Sequence, residues 1–280
     1  MRRGESRRVG WVWSPPVVDG PRFALLNWPA AALRGARRLL GRGGADRGGG
    51  SATLRWAAGE RAPEAAAWVW QPCGEVAGLR GAVWVEVGAG GWQATIVVRQ
   101  SSPPLIEQVV GRLVPAVLGE LALPQGWVLL HAAAGVWRGG ALAFPGRSQV
   151  GKTTVAGAAA ALGWPVLADD LVWVKATGTD PPPVVGLPRG PAERAWAAPA
   201  AALTAWVFPS LGGEGERAVR RLPPRLALPA LWEAWIGLGA PNTVAARLAA
   251  CSRQAKIRAF SWVRPRLSAA GSSSRRYGVD

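Results

Sequence analysis

Cysteine is almost missing from this chain: Cys73 and Cys251 are the only two among 280 residues. That excludes a disulfide-stapled scaffold. With no apolar h-region behind the Met-Arg-Arg start, it also predicts reduced thiols and a cytoplasmic location. Long hydrophobic runs are missing too. The longest, from Leu226 to Ala240, is broken by Pro229 and Glu233, and it falls short of the roughly 20 clean residues a bilayer span needs, so no membrane partner is expected. Lysine is scarce, outnumbered by arginine 30 to 3, so each lysine is informative. Histidine occurs once, at His131.

What is present is a 49% hydrophobic composition, enough to bury one large or two modest domains. The net charge of +16 would suggest a nucleic-acid or membrane-surface partner if it were spread evenly, but it sits at the ends. Residues 1–50 carry ten Arg against three acids, and residues 241–280 carry seven Arg plus Lys256 against Asp280. Each end therefore contributes +7, leaving +2 for the middle. This distribution argues against a basic nucleic-acid groove and reads as solvated basic arms.

Four regions are expected: a basic, Gly-rich segment over 1–50, a small β-rich module over 51–103, a catalytic domain over 104–240 and a basic segment over 241–280. Glycines from Gly41 to Gly50 predict a linker over 40–51. Ala82 to Val87 and Trp92 to Val98 flank a glycine turn and read as a hairpin, with Trp68-Val69-Trp70 upstream. After Pro103-Pro104, the apolar residues Leu105, Val109, Leu113 and Val117 recur every four positions and predict a helix ending near Gly119. Then come a strand from Trp127, the turn Arg138-Gly139-Gly140, and a second strand from Ala141 to Phe144, which imply a mixed sheet. Val155 to Leu162 reads as a helix closed by Gly163, Pro165 to Val174 as a strand, and 228–237 and 243–256 as helical stretches. Residues 186–225 are punctuated by proline and carry no clear assignment.

The central signal is Gly146-Arg147-Ser148-Gln149-Val150-Gly151-Lys152-Thr153-Thr154, a complete G-x-x-x-x-G-K-[ST] phosphate-binding pattern. Glycines let backbone N–H groups curl around phosphate oxygens, and the helix that follows turns its positive dipole end to the anion. Lys152 supplies a compact charge for the β- and γ-phosphates of ATP, and Thr153 a hydroxyl for Mg²⁺. Asp169-Asp170 lies 17 residues beyond Lys152, where phosphoryl transfer needs acids to orient the metal and to take a proton. Neighbours in a regular strand face opposite ways, so both can serve one site only if the strand ends or twists there. A lone histidine on an apolar strand is ordinarily a packed residue, but His131 stands one strand from the loop.

The order Leu130-His131, hairpin, Gly146 to Thr154, and Leu167-Ala168-Asp169-Asp170 resembles the catalytic domain of HPr kinase/phosphorylase, especially its shorter relatives from peptide-biosynthesis clusters. The resemblance covers residues 104–176 well and the rest faintly. It implies an α/β fold, a mixed-sheet P-loop kinase domain like that of phosphoenolpyruvate carboxykinase, with ATP-dependent phosphorylation of a serine on a protein or peptide. By resemblance Asp169 is the general base, His131 its neighbour, and Asp170 a residue on the metal side, beside the Lys152 and Thr153 that the loop motif itself assigns to phosphate and metal. Three features depart from the family. Gln149 replaces a usual glycine, no glutamate signature follows Lys175, and the chain ends in Ser272-Ser273-Ser274-Arg275-Arg276 rather than a docking helix. Two other readings stay open: a nucleotide-binding accessory protein without transfer activity, and an ATP-using nucleic-acid binder. Oligomerisation is left open as well.

Overall fold

A computed structural model describes residues 9–14, 20–40, 52–59, 71–72, 83–88, 92–99, 102–176, 181–187, 200–211, 218–238 and 258–264. The architecture is mixed α/β, with two mixed sheets. The first contains β1 (Val9–Trp13), β2 (Phe23–Leu26), β3 (Ala52–Ala58), β4 (Gln71–Pro72), β5 (Val83–Val87) and β6 (Gln93–Val98), with α1 (Ala30–Leu40) crossing between β2 and β3. Its order is β1-β2-β3-β6-β5-β4. The expected hairpin is present as β5 against β6, antiparallel from Val83 opposite Val98 to Val87 opposite Ala94. Trp68-Val69-Trp70 and residues 41–51 lie outside the described residues.

A helical run follows: α2 (Pro103–Gln108), a π-helical turn over Val109–Leu113, and α3 (Val114–Ala122). Ser102 caps it, its hydroxyl accepting from the Leu105 amide at 3.4 Å. The four-residue apolar spacing explains the π turn. A repeat of four overshoots the helical 3.6 and drifts by about one residue over three steps, and one wide turn absorbs that drift. Val109, Leu113 and Val117 consequently all reach the core. Gly119 does not end the helix. A Cβ there would strike the carbonyl oxygen of Ile236, so this glycine permits a close backbone approach.

The second sheet contains β7 (Trp127–Trp137), β8 (Gly140–Pro145), β9 (Val166–Ala168), β10 (Leu171–Lys175), β11 (Pro183–Leu187), β12 (Ala200–Leu211), β13 (Ala218–Arg221) and β14 (Arg258–Arg264). They run β11-β10-β7-β8-β12-β14-β13, with β9 beside β10 on β7. Arg138 and Gly139 take φ of 50° and 81°, the two left-handed positions of a tight turn that suits strand twist. Strand β12 runs parallel to β8 and β14, whereas β7 is antiparallel to β8 and β10. Two helices pack on this sheet: α4 (Lys152–Ala161) near Ala133 of β7, and α5 (Pro224–Ala234) on the opposite face near Leu130 and Ala132. Gly163, with φ of 78°, follows α4 as expected. Among the described residues no helix is long and apolar enough to cross a membrane.

One core joins the two sheets. Trp13, Phe23 and Leu54 of the first share a cluster with Leu118, Leu121, Trp127, Leu129 and Trp173. The rings of Phe23 and Trp173 lie 5.7 Å apart. Two expected boundaries therefore need correction. Strands β1 and β2 and helix α1 come from the first 50 residues yet belong to the first sheet, with Trp13 only 1% exposed. Strand β14 comes from 241–280 yet sits between β12 and β13. Arginine and glycine dominate the composition of the first end, and arginine, alanine and serine that of the second, but the strand alternation within them decides where the chain folds. The helix expected over 243–256 lies outside the described residues, and the unassigned 186–225 supplies β12 and β13.

Gly186 of β11 faces Val172 of β10, and a Cβ at Gly186 would run into the Leu167 carbonyl of β9. Gly186→Ala is therefore expected to cost about 2 kcal/mol through overpacking, lowering Tm by roughly 5 °C in a thermal melt. An unchanged Tm would show that β9 and β11 do not pack this closely.

Candidate functional site

The loop from Gly146 to Gly151 links the end of β8 to the start of α4, as the motif requires. Its entry is fixed by the Gly146 amide, which donates to the His131 carbonyl at 3.2 Å. A Cβ on Gly146 would lie 2.8 Å from Val150 Cγ2, and Gly151 takes φ of 99° at the helix start. Both glycines are thus needed by the backbone. Gln149 also takes a left-handed φ, of 70°. That locates the strain of having glutamine where the resembling family has glycine. Gln149→Gly is expected to stabilise the protein by about 0.5–1 kcal/mol, the relief exceeding glycine's entropic cost, and a rise of a few degrees in Tm would register it. A fall in Tm would mean that the glutamine side chain contributes contacts outweighing its backbone strain.

Lys152, at the first position of α4, is 5% exposed. Its ammonium donates to the carbonyls of Gly146 at 3.0 Å and Arg147 at 2.7 Å. Burial holds its pKa below the ordinary lysine value of 10.5, opposed by the charges of Asp170 and then Asp169. The cation and both acids therefore share one electrostatic neighbourhood. Thr153 and Thr154 follow on the exposed side of the helix start, and Arg147, Ser148 and Gln149 are exposed along the loop.

The acidic pair sits where β9 and β10 meet. Ala168 pairs with Ala134 and Leu171 with His131, so the register on β7 carries across from Ala168 to Leu171 while the chain bends at Asp169-Asp170 between them. The bend meets the geometric condition for both acids to serve one site. His131 Nε2 lies 2.7 Å from Asp170 Oδ1, each side chain 23% exposed. The histidine thus adjoins Asp170, not Asp169 as the resemblance implies. Asp169 Oδ1 is buried and, among the described residues, has no hydrogen-bond partner. A buried carboxylate oxygen without a partner is costly, and a proton donor or a cation arriving with substrate would satisfy it.

The sequence reading missed Glu233. Near the end of α5, its Oε2 lies 3.2 Å from Arg147 Nε, tying the loop to the helix. Directly beyond, Trp235 bridges Leu130, and the Ile236 amide donates to the Leu129 carbonyl at 3.0 Å. The only sequence hint was an acid inside the otherwise apolar run from Leu226 to Ala240. Both side chains of the ion pair are largely exposed, so its contribution to stability is small.

The donor set fits Mg²⁺. The Thr153 hydroxyl and the two carboxylates are hard oxygen donors, and Asp169 Oδ1 lacks a partner among the described residues. Among the described residues no three His, Cys, Asp or Glu side chains form a self-sufficient metal cage, and magnesium in phosphoryl-transfer sites takes the rest of its shell from phosphates and water. No known family model matches the chain, and no curated protein matches it significantly.

Proposed function

We propose that the protein is a cytoplasmic ATP-dependent kinase that phosphorylates a serine hydroxyl on a protein or peptide. The observation that supports it best is the convergence of a buried lysine at the start of the helix after the loop with two carboxylates, one of which keeps a buried oxygen unpartnered among the described residues. The resemblance to HPr kinase/phosphorylase supplies the acceptor class and the P-loop kinase assignment.

In this reading Lys152 exchanges the Gly146 and Arg147 carbonyls for β- and γ-phosphate oxygens, and the loop amides complete the cradle. Asp169 accepts the proton of the serine hydroxyl as its oxygen bonds to the γ-phosphorus. The bridging β–γ P–O bond breaks in the same displacement, and ADP leaves with that electron pair. Mg²⁺, when bound, neutralises developing charge on the phosphates. Asp170 and Thr153 would hold it, with His131 orienting the Asp170 carboxylate. A decayed accessory protein would have no use for the cost of a buried, unpartnered Asp169 oxygen, which weighs against that alternative.

The test is incubation of the purified protein with Mg²⁺, [γ-³²P]ATP and serine-bearing peptides, with mass spectrometry to place the phosphate. Phosphoserine is the expected product. Nucleotide binding without transfer to any hydroxyl would instead select the accessory reading.

A further inference from the structure

Between α1 and the α2–π-helical run lies a groove of about 560 Å³ that the proposed chemistry does not use. Its floor is apolar, from Ile106 and Val110, and a Cβ at Gly35 would come within 3.0 Å of Val110 Cγ1, so the glycine lets the two walls approach at the base. Arg34 and Arg38 stand on the α1 wall, four residues apart and so stacked on one helical face. Both are exposed, and among the described residues neither makes an ion pair, whereas the intervening Arg37 is stacked on Trp11. Glu107 stands on the opposite wall, also exposed and unpaired with either arginine. Opposite charges thus face each other across the groove without closing it, and the volume falls in the range of ligand-binding clefts.

We propose that this groove docks an extended acidic polypeptide segment, its carboxylates toward Arg34 and Arg38 and its apolar side chains on Ile106 and Val110. The charge pattern selects this occupant. Arginine forks suit carboxylates, the apolar floor suits alternate side chains of an extended chain, and Glu107 can receive backbone N–H groups or a basic residue. A nucleic acid fits less well, since Glu107 repels phosphate and the floor offers it no polar group. That the segment belongs to the phosphate acceptor rests on the kinase reading. The helical run that forms one wall continues into α3, where Gly119 backs onto Ile236, which is bonded to β7 beside His131.

The test is fluorescence anisotropy at low salt, with a fluorescein-labelled peptide of Glu-Leu repeats around one serine, alongside a Lys-Leu peptide and a labelled single-stranded oligonucleotide of similar length. Arg34→Glu and Arg38→Glu should each weaken the acidic peptide about tenfold, as loss of a desolvated arginine anchor does. Gly111→Leu should weaken it as much by filling the groove; a Cβ at Gly111 meets nothing within 4 Å, so the fold tolerates it. Arg138→Glu, an equal charge change on the β7–β8 turn, should leave binding unchanged, and a thermal melt of each variant verifies folding. Absence of acidic-peptide binding, equal weakening by Arg138→Glu, indifference to Gly111→Leu, or oligonucleotide binding with the same variant profile would each overturn the proposal. Asp169→Asn should keep peptide affinity. If phosphate transfer never occurs while the groove variants behave as stated, the kinase reading fails and the groove stands. If transfer occurs but the groove variants leave the peptide KM unchanged, the reverse holds.

Discussion

Lys152→Ala should lower ATP affinity by a factor of about 100 or more in isothermal titration calorimetry, since each charge-assisted hydrogen bond to phosphate contributes roughly 1.5–3 kcal/mol. The loop amides that remain cannot neutralise the phosphate charge. The same substitution should leave the nucleotide-free protein almost as stable as wild type. Alanine removes two hydrogen bonds, to Gly146 and Arg147, but also removes a buried charge whose desolvation already depresses the lysine pKa. Thermal melts should separate the two effects. Wild type should gain stability of about 2.7 kcal/mol at ATP concentrations 100-fold above Kd, and the variant should gain almost nothing. Affinity within threefold of wild type would show that phosphate does not bind at this loop.

Asp169→Asn should keep ATP affinity within a small factor and reduce phosphate transfer by about 10³, the scale of general-base catalysis. The amide matches the carboxylate in shape but cannot take a proton, and it places a group of altered hydrogen-bonding capacity where Oδ1 lies buried and unpartnered. His131→Ala should act less severely, by loosening Asp170 at 2.7 Å rather than by removing a reacting group. Single-turnover transfer measured with saturating ATP separates chemistry from binding. Wild-type turnover in Asp169→Asn, with loss in Asp170→Asn, would reverse the roles within the pair.

The loop between β8 and α4 was legible because its composition answers local needs: glycines for backbone space, lysine for charge, and a strand and a helix on either side. The β7–β8 hairpin was legible for the same reason, through Arg138-Gly139. The acids could be placed beside the loop, but the choice of partner for His131 depends on a bend at two residues, and no propensity encodes which carboxylate that bend turns toward the histidine. Glu233 was invisible because its link to Arg147 spans 86 positions and depends on where α5 lands. The four-residue spacing in 105–117 announced a helix but concealed its wide turn. The ends misled for a compositional reason: arginine in both, with glycine in the first, drew attention from the alternation in Val9 to Trp13 and Arg258 to Arg264, which sheet pairing then used.

Four consecutive residues of β7 hold the pieces of the site together. Leu129 and Leu130 carry the chain beyond α5, His131 carries the loop through its carbonyl, and the Ala132 amide donates to the Asp170 carbonyl at 2.9 Å. Each attachment is to backbone, so side-chain drift along this strand would leave the scaffold intact, whereas a single inserted or deleted residue would shift every later position and exchange its two faces. Over evolutionary time, the length of this stretch should be held more rigidly than its composition.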